Sequence, residues 1–343
     1  MSQDRRNDFD VTNTVQVSDP AAVRDAVREL FVSTYPGVPF DKLWLAFYDF
    51  ERLFTGRYPG YIGCDTTYHD MQHTLDMTLA LARLFAGYDR TMRGDDRLGP
   101  ERAQMSIITS LFHDCGYIRH AERDRDFHNG AELTLHHVSR SADFLRRYLP
   151  DLGLARDAAV SSMIVHFTGY EIDIDTIEMD DPRDATCGHL LGTADLIAQM
   201  ADRCYLEKCR DRLYKEFVLG GIAIEHSQPG EFTVRYESGK DLLRKTPEFY
   251  QLVLRTRLRE KFNRAYRYFE VLFDGQNPYV DAVRNNMRHL SKVLKEDDWM
   301  LLRRSPPYFL VDEEMGVEMD KLATTQLQQV PPQHGVSPDV VVA

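Results

Sequence analysis

The sequence predicts an all-α protein: a helical bundle with a further helical extension packed on its C-terminal side. Three observations point there. Apolar residues recur at three- and four-residue spacing along most of the chain. Several of these runs open on a capping residue or a first-turn proline. Strand signals are scarce, the clearest being "EFTVRYES" (231–238), which follows Pro229-Gly230 and fits a small hairpin or an extended loop.

The runs follow in order. "DPAAVRDAVRELFVSTY" offers Asp19 as a cap, Pro20 at the first helical position and a stripe through Val23, Val27, Leu30 and Phe31. "DKLWLAFYDFERLF" is amphipathic and aromatic-rich. "YHDMQHTLDM" (68–77) opens a helix that ends near Gly87. There His69, His73 and Asp76, spaced by four and then three, share one helical face. "GPERAQMSIITSLFHDC" turns almost wholly apolar before His113, the pattern of a buried central helix. "GAELTLHHVSRSADFLRRYLP" ends at a proline, and "RDAAVSSMIVHF" is short and amphipathic. Residues 168–183 form an acid-rich loop. The long run from Asp184 to Leu219 is expected to break once. Two charged helical segments, about 241–273 and 276–295, complete the pattern.

With 343 residues and 43% hydrophobic content the chain builds its own core. We divide it into a disordered N-terminus (1–18), one helical domain (19–225), a C-terminal helical extension (226–320) and a disordered tail (321–343). The net charge of −12 argues against polymeric nucleic acid as a partner. An anionic substrate in such a chain needs local positive charge, and a metal is the obvious supplier. "MSQDRRNDFDVTNTVQV" has no apolar signal core, and no stretch approaches a membrane span of about 20 apolar residues. The five cysteines lack CxxC spacing and read as reduced thiols of a cytoplasmic protein. The sequence leaves a homo-oligomer open.

The residues that carry chemistry come in order: His73, His113-Asp114, His136-His137, His166 and Asp195. His113 and Asp114 end an apolar helix, where Gly116 permits the chain to bend so that both reach one point. His166 interrupts "SSMIVHFTGY". Asp195 sits in "LLGTADLIAQM", where an isolated carboxylate is costly to bury unless paired or metal-bound. Imidazoles with carboxylates suit zinc, iron, manganese or nickel, and oxygen-rich sets also suit magnesium.

This ordered set resembles the HD-domain metal-dependent phosphohydrolases. "YHDMQHTLDM" is similar to the YHNxxHAxDV signature of class I cyclic-nucleotide phosphodiesterases, with Asp70 replacing Asn and Thr74 replacing Ala. "LFHDCGY" and "GTADLIAQM" resemble that family's second and third ligand segments, and the likeness covers about 64–220. It implies an HD-domain helical bundle. It also implies His73, His113, Asp114 and Asp195 as ligands of a first divalent metal, Asp114 as the bridge to a second, and His69 as general acid. His137 and His166 resemble the extra histidines of dinuclear HD subfamilies, including HD-GYP proteins, and His137 ranks above His136.

The chain departs from the cyclic-nucleotide pattern at three places. Tyr117 stands for a histidine, Thr134 for a glutamate, and Gly220, in "KEFVLGG", for the glutamine that grips a purine. The resemblance therefore implies a phosphodiesterase acting on a nucleotide or other small phosphate ester through a metal-activated water, with catalytic His69 and Asp114. The two divalent ions are drawn from Mn, Mg, Zn, Fe or Ni. Asp76 is expected to orient a histidine, and Arg119, His120 and Arg123 either to touch phosphate or to form a solvated turn. Two alternatives share the ligand set. One is an HD-type di-iron oxygenase, with the same four histidines and two aspartates; the other is a non-catalytic metal-bound regulatory module.

Overall fold

The structure, a computed structural model, describes residues 5–228, 231–308 and 313–330. Among them are twelve α-helices and a single two-stranded antiparallel hairpin, so the all-α class holds. In the hairpin, β2 (Glu231–Val234) falls in the alternating run and pairs with β1 (Ile224–Gln228), which precedes it.

α1 (Pro20–Thr34) starts as its sequence dictates, with the Asp19 carboxylate accepting from the Ala21 amide. α2 (Asp41–Phe54) buries Leu43, Phe47, Phe50 and Phe54. α3 (Met71–Thr91) is the axis of the molecule. Every residue from Met71 to Gly87 is buried, against α1, α4 (Gly99–Leu111) and α7 (Pro182–Ala201). Its polar residues are matched in place: Ser110 on α4 bonds Thr78, and Arg83 donates to Tyr279 and Asp10. α5 (His137–Asp151) and α6 (Ala158–Ile164) pack on each other. The long run after Asp184 breaks once, at Asp202–Cys204. It continues as α8 (Tyr205–Lys208), a wide π turn, and α9 (Tyr214–Leu219).

α10 (Gly239–Val253) continues through π turns to Lys261, and α11 (Pro278–Glu296) packs on the end of α7. α12 (Glu313–Gln328) lies along α9. No helix among the described residues is long and apolar enough to cross a membrane. All five cysteines are free and buried.

Three expectations change. The helix expected to hold His69 begins two residues after it, because Asp70 is the cap and accepts from the His73 amide. Residues 5–18, expected to be disordered, are pinned by Asp10. Its fully buried carboxylate accepts from Thr12, Thr14, Val15 and Arg83. The tail expected from 321 is helical to Gln328, because Met319, Ala323 and Leu327 make a buried stripe at four-residue spacing. The rest of that tail, 331–343, lies outside the described residues.

Candidate metal centre

Four elements deliver side chains to one point. His73 sits in the first turn of α3, fixed by the Asp70 cap. α4 ends at Leu111, so His113 and Asp114 leave the helix and their side chains converge instead of diverging by about 100°. Asp195 projects from the middle of α7, and His137 is the first residue of α5. Gly116 lets these meet for a reason other than bending. A Cβ on it would overlap the His137 carbonyl oxygen, so α5 approaches Asp114 only past a glycine.

His73, His113 and Asp114 each offer a ligand atom within 4.8 Å of the others. His73 Nε2 lies 3.2 Å from Asp195 Oδ1 and 3.4 Å from Asp114 Oδ2. His113 Nε2 lies 3.2 Å from Asp114 Oδ2 and 3.8 Å from Asp195 Oδ1. Donors about 2.1 Å from a shared cation stand roughly 3.0–3.4 Å apart at octahedral or tetrahedral edges, so three of these four separations have that scale. His113 Nδ1 donates to the Ser110 carbonyl at 2.8 Å, which leaves a lone pair on Nε2. That Nε2 and Asp114 Oδ2 are both buried without a hydrogen-bond partner. A cation is the partner such a donor set fits.

The electrostatics agree. Burial opposes a charged His113, but the Asp114 and Asp195 carboxylates outweigh it and push its imidazole up to about 9, so a positive charge at Nε2, a proton or a cation in its place, is favoured there. Burial would raise Asp114; the facing imidazoles, His113 first, hold its carboxyl well below the usual range instead. Asp114 also faces two ways. Its Oδ1 lies 3.8 Å from His137 Nε2, and His137 Nδ1 donates to the Thr134 carbonyl at 2.6 Å, again freeing Nε2. His136, by contrast, is exposed.

His69 stands at the edge of this group, 5.9 Å ring to ring from His73. Its Nδ1 meets Glu216 Oε2 at 2.5 Å, and Glu216 Oε1 accepts from the Tyr68 amide at 2.6 Å. Burial opposes protonation of His69, and the Glu216 carboxylate overcomes it and raises the imidazole. Tyr117 stacks on His69 at 4.6 Å and on His137 at 4.3 Å, an uncharged plate joining the two rings.

Other expected groups make no ion pair with this cluster among the described residues. No carboxylate stands within 4 Å of His166 among the described residues. The charges it feels are Glu171, Arg146 and Asp143, and its Nδ1 is buried without a partner. Asp76 points away from the cluster: the charges around it belong to Arg5, Asp202, Asp10 and Arg83. Arg119 clamps Asp65 and the Phe127 carbonyl, His120 packs edge-on to Tyr61, and Arg123 is exposed.

Sequence reasoning missed Glu216 and Glu171. Glu216 is wholly buried in "YKEFVL", where a glutamate with Phe and Val after it is itself a signal of a buried partner. Glu171, in the acid-rich loop, caps α5 by accepting from the Val138 and Ser139 amides and lies 3.7 Å from His137 Nδ1. Its acidic neighbours hide it in the sequence. No protein-family model, curated protein or solved structure matches this chain.

Proposed function

We propose that the chain is an HD-type metal-dependent phosphohydrolase, a phosphodiesterase acting on a nucleotide or other small phosphate ester. The observation that carries this reading is the convergence of His73, His113, Asp114 and Asp195 on one point, with the His69–Glu216 pair beside it. Motif order supports it as well, since these residues fall in the sequence of ligand segments that the resemblance implies.

In this reading His73, His113, Asp114 and Asp195 would hold one divalent ion, and Asp114 with His137 would help to hold a second. Such ions would supply positive charge for a phosphoryl group and lower the pKa of a water. The chain's own residues do the rest. Glu216 takes the Nδ1 proton of His69 in a hydrogen bond and fixes the ring. His69 Nε2 is thereby left to give its proton to the leaving oxygen, the role of a general acid. Tyr117 keeps His69 and His137 in stacked register without adding charge.

Turnover of bis(p-nitrophenyl) phosphate with Mn, Mg, Zn, Fe or Ni tests this. His69→Ala is expected to lower the rate by about 10²–10³-fold while bound metal stays the same. Absence of turnover with all five metals, or an unchanged rate in His69→Ala, would overturn it.

A further inference from the structure

Tyr170 is 64% exposed, more than any other phenylalanine, tyrosine or tryptophan among the described residues. Exposure alone would make it an ordinary surface ring. Its place, its support and its neighbours set it apart.

The loop that carries Tyr170 is held against two sides of the metal centre. A Cβ on Gly192, three residues before Asp195 on α7, would lie 2.6 Å from the Phe167 carbonyl oxygen, so the chain at Phe167 packs on α7 only past a glycine. On the other side Glu171, the residue after Tyr170, lies 3.7 Å from His137 Nδ1 and caps α5. Tyr170 thus stands between the Asp195 side and the His137 side of the centre, and Asp195 is among the charges that reach both its phenol and Arg257.

The ring is also fixed from behind. The Arg257 guanidinium lies over it, with Cζ 3.7 Å from the ring centroid. That guanidinium is buried and donates to the Phe167 and Gly169 carbonyls at 3.3 and 2.6 Å. One face of the ring is therefore covered, and the exposure belongs to the other. A ring already held in place loses little freedom when a ligand arrives. Its neighbours are apolar and open: Leu135, two residues before His137, and Ile172, the residue after Glu171, are both exposed. An apolar rim beside a charged centre suits a ligand with one flat apolar part and one anionic part.

We propose that the open face of Tyr170 stacks the base of a nucleotide whose phosphate lies at the metal centre, so that the substrate class is a nucleoside phosphate and not a plain sugar or alkyl phosphate. The proposal rests on the phosphohydrolase reading of that centre. Every base has a π face, so stacking gives affinity without choosing the base. Gly220, where a purine-gripping glutamine would stand, fits the same lack of choice.

Calorimetry with AMP and with ribose 5-phosphate, on the full chain with manganese present, tests it, because the two ligands differ only in the base. AMP is expected to bind at least about tenfold more tightly. Tyr170→Ala should shrink that preference to about twofold or less, and Tyr170→Phe should retain it. Equal affinity for the two ligands, failure of both to bind, or a preference that survives Tyr170→Ala would overturn the proposal. Turnover of methyl p-nitrophenyl phosphate, which carries no base, separates the two readings. A Tyr170-dependent preference without turnover would overturn the hydrolase reading alone, and turnover without the preference would overturn the stacking site alone.

Discussion

Asp114 and Asp76 are both buried carboxylates beside the α3 axis, and their surroundings push them in opposite directions. Burial raises both. Around Asp114 the His113, His69 and His73 imidazoles more than reverse that effect. Around Asp76 burial prevails: Arg5 and Arg83 pull down, Asp202 and Asp10 push up, and the carboxyl rises to about 7. One oxygen of each lacks a hydrogen-bond partner, but only Asp114 faces lone pairs on neighbouring imidazoles. A buried aspartate is thus not in itself a metal ligand; the company it keeps decides.

That contrast can be broken at either residue. Asp114→Asn removes the charge that faces His73, His113 and His137. Bound metal should be lost and phosphodiester turnover should fall at least about 10³-fold, while Asp76→Asn leaves metal content as it was. Elemental analysis beside a rate assay checks both. A smaller loss, about 10²-fold, is expected for Glu216→Gln, because His69 loses the carboxylate that raises it. The alkaline limb of its pH–rate profile is diagnostic, because a general acid works only while it keeps its proton. With a less basic His69, the alkaline fall in rate should move to lower pH.

Asp76 gives a stability effect of about 4 kcal/mol with a definite sign. Below about pH 3 the carboxyl is protonated both folded and unfolded, so it contributes no difference. As pH rises toward 7, the unfolded chain ionises while folded Asp76 keeps its proton, and stability falls. Asp76→Asn should therefore unfold at higher denaturant than the parent at about pH 8 and approach it near about pH 3. The smallest effect belongs to His166. His166→Ala should change turnover by no more than about threefold, against tenfold or more for His137→Ala, because only His137 faces Asp114.

Much of this was legible in the sequence. The Asp19–Pro20 start, the single break after α7 and the hairpin all follow from local signals. The convergence of His73, His113, Asp114 and Asp195 was expected from the family resemblance and not from spacing alone. What failed was local geometry read as periodicity. His69 and His73 keep helical spacing, yet Asp70 caps the helix between them, so His69 is aimed by Glu216 from α9 and not by α3. The Asp10 pin and the α12 stripe depend on partners more than 70 residues away, which spacing does not reveal.

The central claim is that His73, His113, Asp114 and Asp195 hold a cation. Manganese titration of the metal-free protein, followed by calorimetry, tests it most directly, with His73→Ala and Asp76→Asn alongside. The account predicts at least one bound ion per chain in the parent and in Asp76→Asn, and loss of that ion in His73→Ala. Equal binding in the parent and in His73→Ala, or binding in none of the three proteins, would contradict it.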